Sequence, residues 1–147
     1  MASDPQGREP RAAAIEILVP AGPRFLYGLL GCHFKPDQAE HVTIQVQISS
    51  PEERIFPDSL GTQMDEVRVG LPAEYGSAVL SGVALEKDRL EMLGAGNLTF
   101  NCAAHGAVGS CTVIFKHLSA MLIKILSTVT HGLSDDEMAE MFPHTWN

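Results

Sequence analysis

The stretch "HVTIQVQIS" constrains the fold more than any other. Val42, Ile44, Val46 and Ile48 alternate with Thr43, Gln45 and Gln47. In a strand, successive side chains point to opposite faces, so this period of two predicts one covered face and one solvated face. That half-buried pattern is typical of an antiparallel sheet covered on one side. Something apolar must cover the apolar face, and helical spacing supplies it. From Cys111 to Thr128, Ile114, Leu118, Met121, Leu122 and Ile125 fall on one stripe.

The rest of the chain fills in around these two signals. "AAIEILVP" reads as a first strand stopped by Pro20. "RFLYGLLGCHF" is apolar but interrupted by Gly28 and Gly31; a bulged strand and a turn of helix both fit. Arg54 to Phe56 and "EVRVGL" read as short strands. Pro72 opens a helix, as proline does in a first turn. That helix places Val79, Leu80, Val83 and Leu90 on one face, with Gly76 and Gly82 weakening it. "GAG" breaks the chain before the strand "NLTFNC", in which Leu98, Phe100 and Cys102 alternate. Ser110 is the expected N-cap of the helix from Cys111, and Gly132 its stop. Ser134 and Glu137 form a capping box for a short last helix ended by Pro143. The predicted class is α+β: a two-layer α/β sandwich, mainly antiparallel, with two helices on one sheet face.

Residues 1–11 read as a polar, proline-containing leader and residues 12–147 as one domain. The chain carries 18 acidic against 10 basic residues, a net charge of -8. An acidic surface argues against broad phosphate-backbone binding, though not against a local RNA contact. Residues 1–11 lack the apolar run of a secretory signal, no stretch approaches the ~20 apolar residues of a membrane span, and three cysteines is an odd number. Reduced thiols and a cytoplasmic location are expected. Asn97 begins a glycosylation triplet that only a secreted chain would use.

"NCAAHGAVGSC" gathers the reactive side chains. His105 is flanked by Ala103, Ala104, Gly106 and Ala107, small residues that expose it. It reads either as a loop residue without a role or as a tip residue aimed at a phosphate or base edge. Cys102, His105 and Cys111 could hold zinc, but the spacing is not a paired one, and a fourth ligand must come from afar, such as Cys32 or His33. Cys102 equally fits the buried side of its strand. Cys111 near a helix N-terminus, with His105 as base, is a candidate nucleophile, though no orienting third group is identifiable. Asp135, Asp136 and Glu137 read as first-turn carboxylates rather than a cation site. Lys116, His117 and Lys124 read as a solvated helix face. No metal or cofactor is expected.

Four stretches, in order, resemble domain IV of translation elongation factor G and its ribosomal-protection relatives. "HVTIQV" is similar to the family's His-Val-Lys-Ile-Lys-Val strand. "GLPAEYGSAVLSGV" is similar to its Pro-x-Glu-Tyr helix entry, "LTF" to its Val-Thr-Leu strand, and "HGAVGSCTVIFKHLSAMLIK" to its His-x-Val-Asp-Ser-Ser segment and following helix. His105, Ser110, Phe115, Lys116 and Lys124 match if one residue is inserted before Ser110. The likeness spans residues 15–126 and implies a ribosomal protein S5 domain 2-like fold. It further implies a non-catalytic module contacting the ribosome or another RNA–protein surface through the loop holding His105, Gly106 and Ser110. The family's Gly-Gly-Arg-Gly-Gln loop is replaced by "KPDQAEH", and the Asp of its Val-Asp-Ser-Ser is Gly109 or missing. There is no P-loop, hence no expected GTP site. The rival readings are a small metal protein or enzyme centred on Cys102, His105 and Cys111, and a protein-interaction domain reusing the fold.

Overall fold

Five strands and three helices follow one another in the computed structural model, which describes residues 9–48 and 54–128. The expectations for most of the leader, the Gly132 stop and the Ser134-capped helix lie outside the described residues.

β1 (Arg11–Ala21) and β2 (Arg24–Pro36) form a hairpin closed by Gly22 and Pro23. Gly22 has φ 65°, a conformation that suits a two-residue hairpin loop and favours glycine. Pro20 therefore does not stop the first strand. It pairs with Phe25 on an edge strand, where a missing N–H disrupts no central ladder. The ambiguous "RFLYGLLGCHF" is strand throughout. β2 pairs antiparallel with β5 (Gly96–Gly106), and the register slips between Gly31 and Cys32. Gly31 faces Cys102 while Cys32 faces Phe100, so Asn101 is an extra residue in β5, a bulge.

The other edge of β5 is shared. β3 (Val42–Val46) runs parallel to its first half, from Gly96 to Phe100. β4 (Val67–Val69) runs antiparallel to its last residues, from Ala104 to Gly106. Three of the four pairings are antiparallel and the β3–β5 pairing is parallel, so the sheet is open, mixed and five-stranded, in the order β1-β2-β5-β3 with β4 on β5. Period-two burial reports only that one face is covered. It does not encode strand direction, and β3 alternates half-buried and exposed residues while running parallel to its partner.

The helices are α1 (Ala73–Leu85), α2 (Lys87–Leu93) and α3 (Thr112–Ser127). The single helix expected after Pro72 breaks at Glu86, whose backbone leaves helical values at φ -113° and ψ 37°. Val79 and Val83 are buried as expected, but Leu80 is 48% exposed. The glycines read as helix weaknesses are contact points instead. A Cβ on Gly82 would collide with the Ser119 hydroxyl and the Lys116 carbonyl of α3, so the two helices pack there backbone to backbone. A Cβ on Gly28 would lie 2.7 Å from Ile114, which seats α3 directly on β2.

One core results. Ile15, Ile17, Leu30, Phe34, Leu98 and Phe100 from the sheet meet Val79, Val83, Ile114, Phe115, Leu118 and Leu122 from α1 and α3. α3 is buried on more than its predicted stripe: Phe115 and Ile123 are also fully inaccessible. Ser119 lies in this core and donates to the Val79 carbonyl at 2.9 Å, so its hydroxyl is satisfied. Arg11 of β1 donates to the Leu126 carbonyl at the C-terminus of α3, where a cation meets the unpaired carbonyls. On the opposite sheet face, Tyr27, Val67 and Ala104 form a smaller cluster with Leu18, Leu29 and Phe56. No described helix is long and apolar enough to cross a membrane.

Candidate functional site

The expected tip loop is shorter than the sequence indicated. His105 and Gly106 belong to β5, and only the five residues from Ala107 to Cys111 connect it to α3. His105 is half-buried rather than presented at a tip. Its small neighbours Ala103, Ala104 and Gly106 are strand residues, and their size leaves room for other elements to close over the ring. The His105 Nδ1–H donates to the Gly70 carbonyl at 2.9 Å. Tyr75 of α1 meets the ring edge-on, with centroids 6.1 Å apart at 70°. Tyr75 in turn stacks on Phe115 of α3 at 4.9 Å and 21°. Its hydroxyl donates to the Ser110 carbonyl at 3.1 Å. Burial, with the nearby Glu74 and Cys111, raises the Tyr75 pKa, so the phenol stays a donor.

The connection itself is tied down from the opposite side. The Ser110 Oγ accepts from the Gly106 amide at 2.8 Å and donates to the Tyr27 carbonyl. Ser110 is therefore a staple between β5 and β2; the N-cap of α3 is Cys111, which makes no side-chain capping bond. The Tyr27 amide donates to the Gly109 carbonyl at 2.9 Å. Asp65 completes the arrangement. Its carboxylate accepts from the Val108 amide at 3.0 Å and from the Gly109 amide at 2.6 Å. The two loop N–H groups that could have held an external anion thus hold an internal one. A Cβ on Gly106 would collide with this carboxylate, so the bare backbone there admits Asp65.

Sequence reasoning missed Asp65 and Tyr75. Asp65 lies in a stretch that reads only as loop, and its partners are more than 40 residues away. Tyr75 sits in the "PAEYG" stretch, but nothing local marks it as the neighbour of His105.

The candidate zinc set is not brought together. Cys102 and His105 are three residues apart on one strand, so they point to opposite faces. His105 turns toward α1, whereas Cys102 is exposed and lines a groove on the other face with Leu29, Phe56 and Val69. The reading of Cys102 as a core partner of Leu98 and Phe100 is also corrected, because the bulge at Asn101 reverses the alternation. Cys111 is partly buried against the core. Cys32 is buried among apolar side chains, which pushes its thiol up to about 12, while His33 is half-buried at the next position of β2. Among the described residues no three His, Cys, Asp or Glu side chains form a group able to hold a metal. Lys116, His117 and Lys124 are partly buried rather than fully solvated, and Lys124 pairs with Glu86 at 3.2 Å. Burial, then Lys116 and Lys124, lowers the His117 pKa. Asp135, Asp136 and Glu137 lie outside the described residues.

No family model matches the chain, and no curated protein matches it. Among solved structures it is similar to a crystal structure of a protein from Thermus thermophilus, with a TM-score of 0.55 and 13% identity. The likeness covers 80% of this chain, which spans only 15% of the length of that protein. At that identity the shared property is the fold: an open, mixed α+β sheet with its helices.

Proposed function

We propose that this chain is a non-catalytic binding module of the kind that domain IV of elongation factor G exemplifies, engaging a ribosome or another RNA–protein surface. One observation carries the reading. Residues of two stretches that resemble the family, far apart in sequence, meet in space. Tyr75 of "PAEYG" lies between His105 and Phe115 of "HGAVGSCTVIF" and bonds the Ser110 carbonyl. Separated motifs that converge on one loop point to a shared task at that loop. A fold that occupies a small part of a longer Thermus protein also suits a module.

On this reading His105, Gly106 and Ser110 do no chemistry. They fix the backbone from Ala107 to Gly109, which is what a partner meets. Rigid presentation raises affinity by reducing the ordering cost at contact.

Co-sedimentation of the full chain with purified ribosomes at low salt tests this. The wild-type chain should sediment with them. Ala107→Glu, at an exposed position on the connection, should weaken the association by roughly tenfold, about 1.4 kcal/mol, without unfolding the protein. A chain that stays in the supernatant overturns the reading.

A further inference from the structure

The end of the sheet that carries the β5–α3 connection also exposes a cluster of apolar side chains. A groove of about 320 Å³ opens there between the β1–β2 hairpin, the 60–65 turn and the connection. Leu18, Phe25 and Tyr27 form its floor and one wall, and Met64 and Val108 form the other. Met64 is 56% exposed, Val108 74% and Phe25 39%, and Leu60 beside them is 55% exposed. An exposed apolar cluster of this kind marks an interaction site more often than scattered single residues do.

The floor is built rather than accidental. Gly61 packs against the Tyr27 ring so closely that a Cβ there would lie 2.7 Å from it. The Tyr27 hydroxyl donates to Glu16 at 2.6 Å, and the Leu60 amide reaches the same carboxylate at 3.3 Å. Asp65 anchors the Val108 side. The hydrogen bonds that shape the groove thus converge on carboxylates.

Charge selects the occupant. Asp65 lines the groove and Glu16 holds its Tyr27 floor, while Asp58 and Glu66 flank them along the 58–66 segment, where Glu66 pairs with Arg68 at 3.3 Å. A nucleic-acid backbone would meet repulsion at this rim, whereas a basic protein segment would meet attraction. We propose that this groove docks a protein segment bearing one large apolar side chain flanked by lysine or arginine. The inference rests on the binding-module reading and deepens it: the partner's protein component, rather than its RNA, meets this end of the fold.

The test uses the full chain and a fluorescein-labelled peptide with one phenylalanine between two pairs of lysines, followed by anisotropy. Saturable binding is expected, at least about tenfold weaker when glycine replaces the phenylalanine, and equally weakened by Val108→Asp or Met64→Asp. Leu85→Asp, on the helical side, should leave it unchanged. Both groove positions are exposed, so the variants should melt as the wild type does. Binding that ignores the phenylalanine or the groove variants overturns the proposal, as does a flat titration. So does binding of purified ribosomal RNA that Val108→Asp weakens. If ribosomes sediment the chain while the peptide does not bind, the groove proposal fails and the module reading stands. If the peptide binds while ribosomes leave the chain in the supernatant, the groove stands and the ribosomal reading fails.

Discussion

Gly82→Ala is the most informative perturbation of this fold. On helix propensity alone it should stabilise α1 by about 1 kcal/mol. The structure reverses the sign. The added methyl would collide with the Ser119 hydroxyl and the Lys116 carbonyl. Ser119 can rotate away, but it then gives up its bond to the Val79 carbonyl inside a fully buried site, a loss of roughly 1–3 kcal/mol. The Lys116 carbonyl belongs to the backbone of α3 and yields only if the helices separate, an overpacking cost of about 1–3 kcal/mol. Subtracting the propensity gain leaves a net loss of about 1–5 kcal/mol. Urea unfolding would measure it as a lower midpoint at unchanged slope. Ser81→Ala, the exposed neighbour, controls for propensity and should stay within about 0.5 kcal/mol. Ser119→Ala removes one colliding atom, so the double variant should be more stable than the sum of the singles by about 1 kcal/mol. A Gly82→Ala protein as stable as the wild type would refute the close α1–α3 approach.

Three further outcomes follow from the site. His105→Ala should cost about 1–2 kcal/mol, from the lost bond to the Gly70 carbonyl and the lost edge contact with Tyr75; a change under about 0.5 kcal/mol in urea unfolding would return His105 to an exposed role. Asp65→Asn should lower stability by about 1 kcal/mol at this partly exposed position and speed hydrogen exchange at the Val108 and Gly109 amides; unchanged protection of those two amides counts against the anchor. Alkaline pH should destabilise the fold. The Cys32 thiol is pushed up to about 12 by burial, and burial with Glu16 raises the Tyr27 phenol. The folded state therefore holds both protons more tightly than the unfolded chain does, so stability is full below about pH 9 and falls as pH rises from there toward 12. A urea midpoint equal at pH 8 and pH 10.5 would contradict this, and Cys32→Val should reduce the fall.

What was legible in the sequence was local. The alternation of Val42 to Val46 marked one covered face, and the spacing of Ile114, Leu118 and Leu122 marked the helix above it. What was illegible depended on partners. Strand direction leaves no mark on period-two burial, so the parallel pairing of β3 stayed hidden. The bulge at Asn101 depends on the register against β2, and without it Cys102 reads as sharing the core side with Phe100. Gly82 reads locally as a poor helix residue; its value lies in what α3 brings against it. The same holds at the site. Ser110 has the chemistry of an N-cap, but the Gly106 amide and Tyr27 carbonyl claim its hydroxyl first. His105 reads as exposed because its chain neighbours are small, and small neighbours also leave room for Tyr75.

β5 has a consequence for how the protein is made. As the chain emerges during synthesis, β1 and β2 can close their hairpin at once, since their partners are adjacent. β3 and β4 cannot pair with any strand until β5, Gly96–Gly106, has left the exit tunnel, because β5 is the strand partner of both. The core must then wait for α3, the last described element. Pairings of such long sequence separation form slowly, and the waiting strands keep their apolar faces uncovered. The nascent chain therefore gains most of its order in one late step. A ribosome stalled before Gly96 would carry a segment for general chaperones to shield, whereas a released chain with α3 free can complete the sheet and the core.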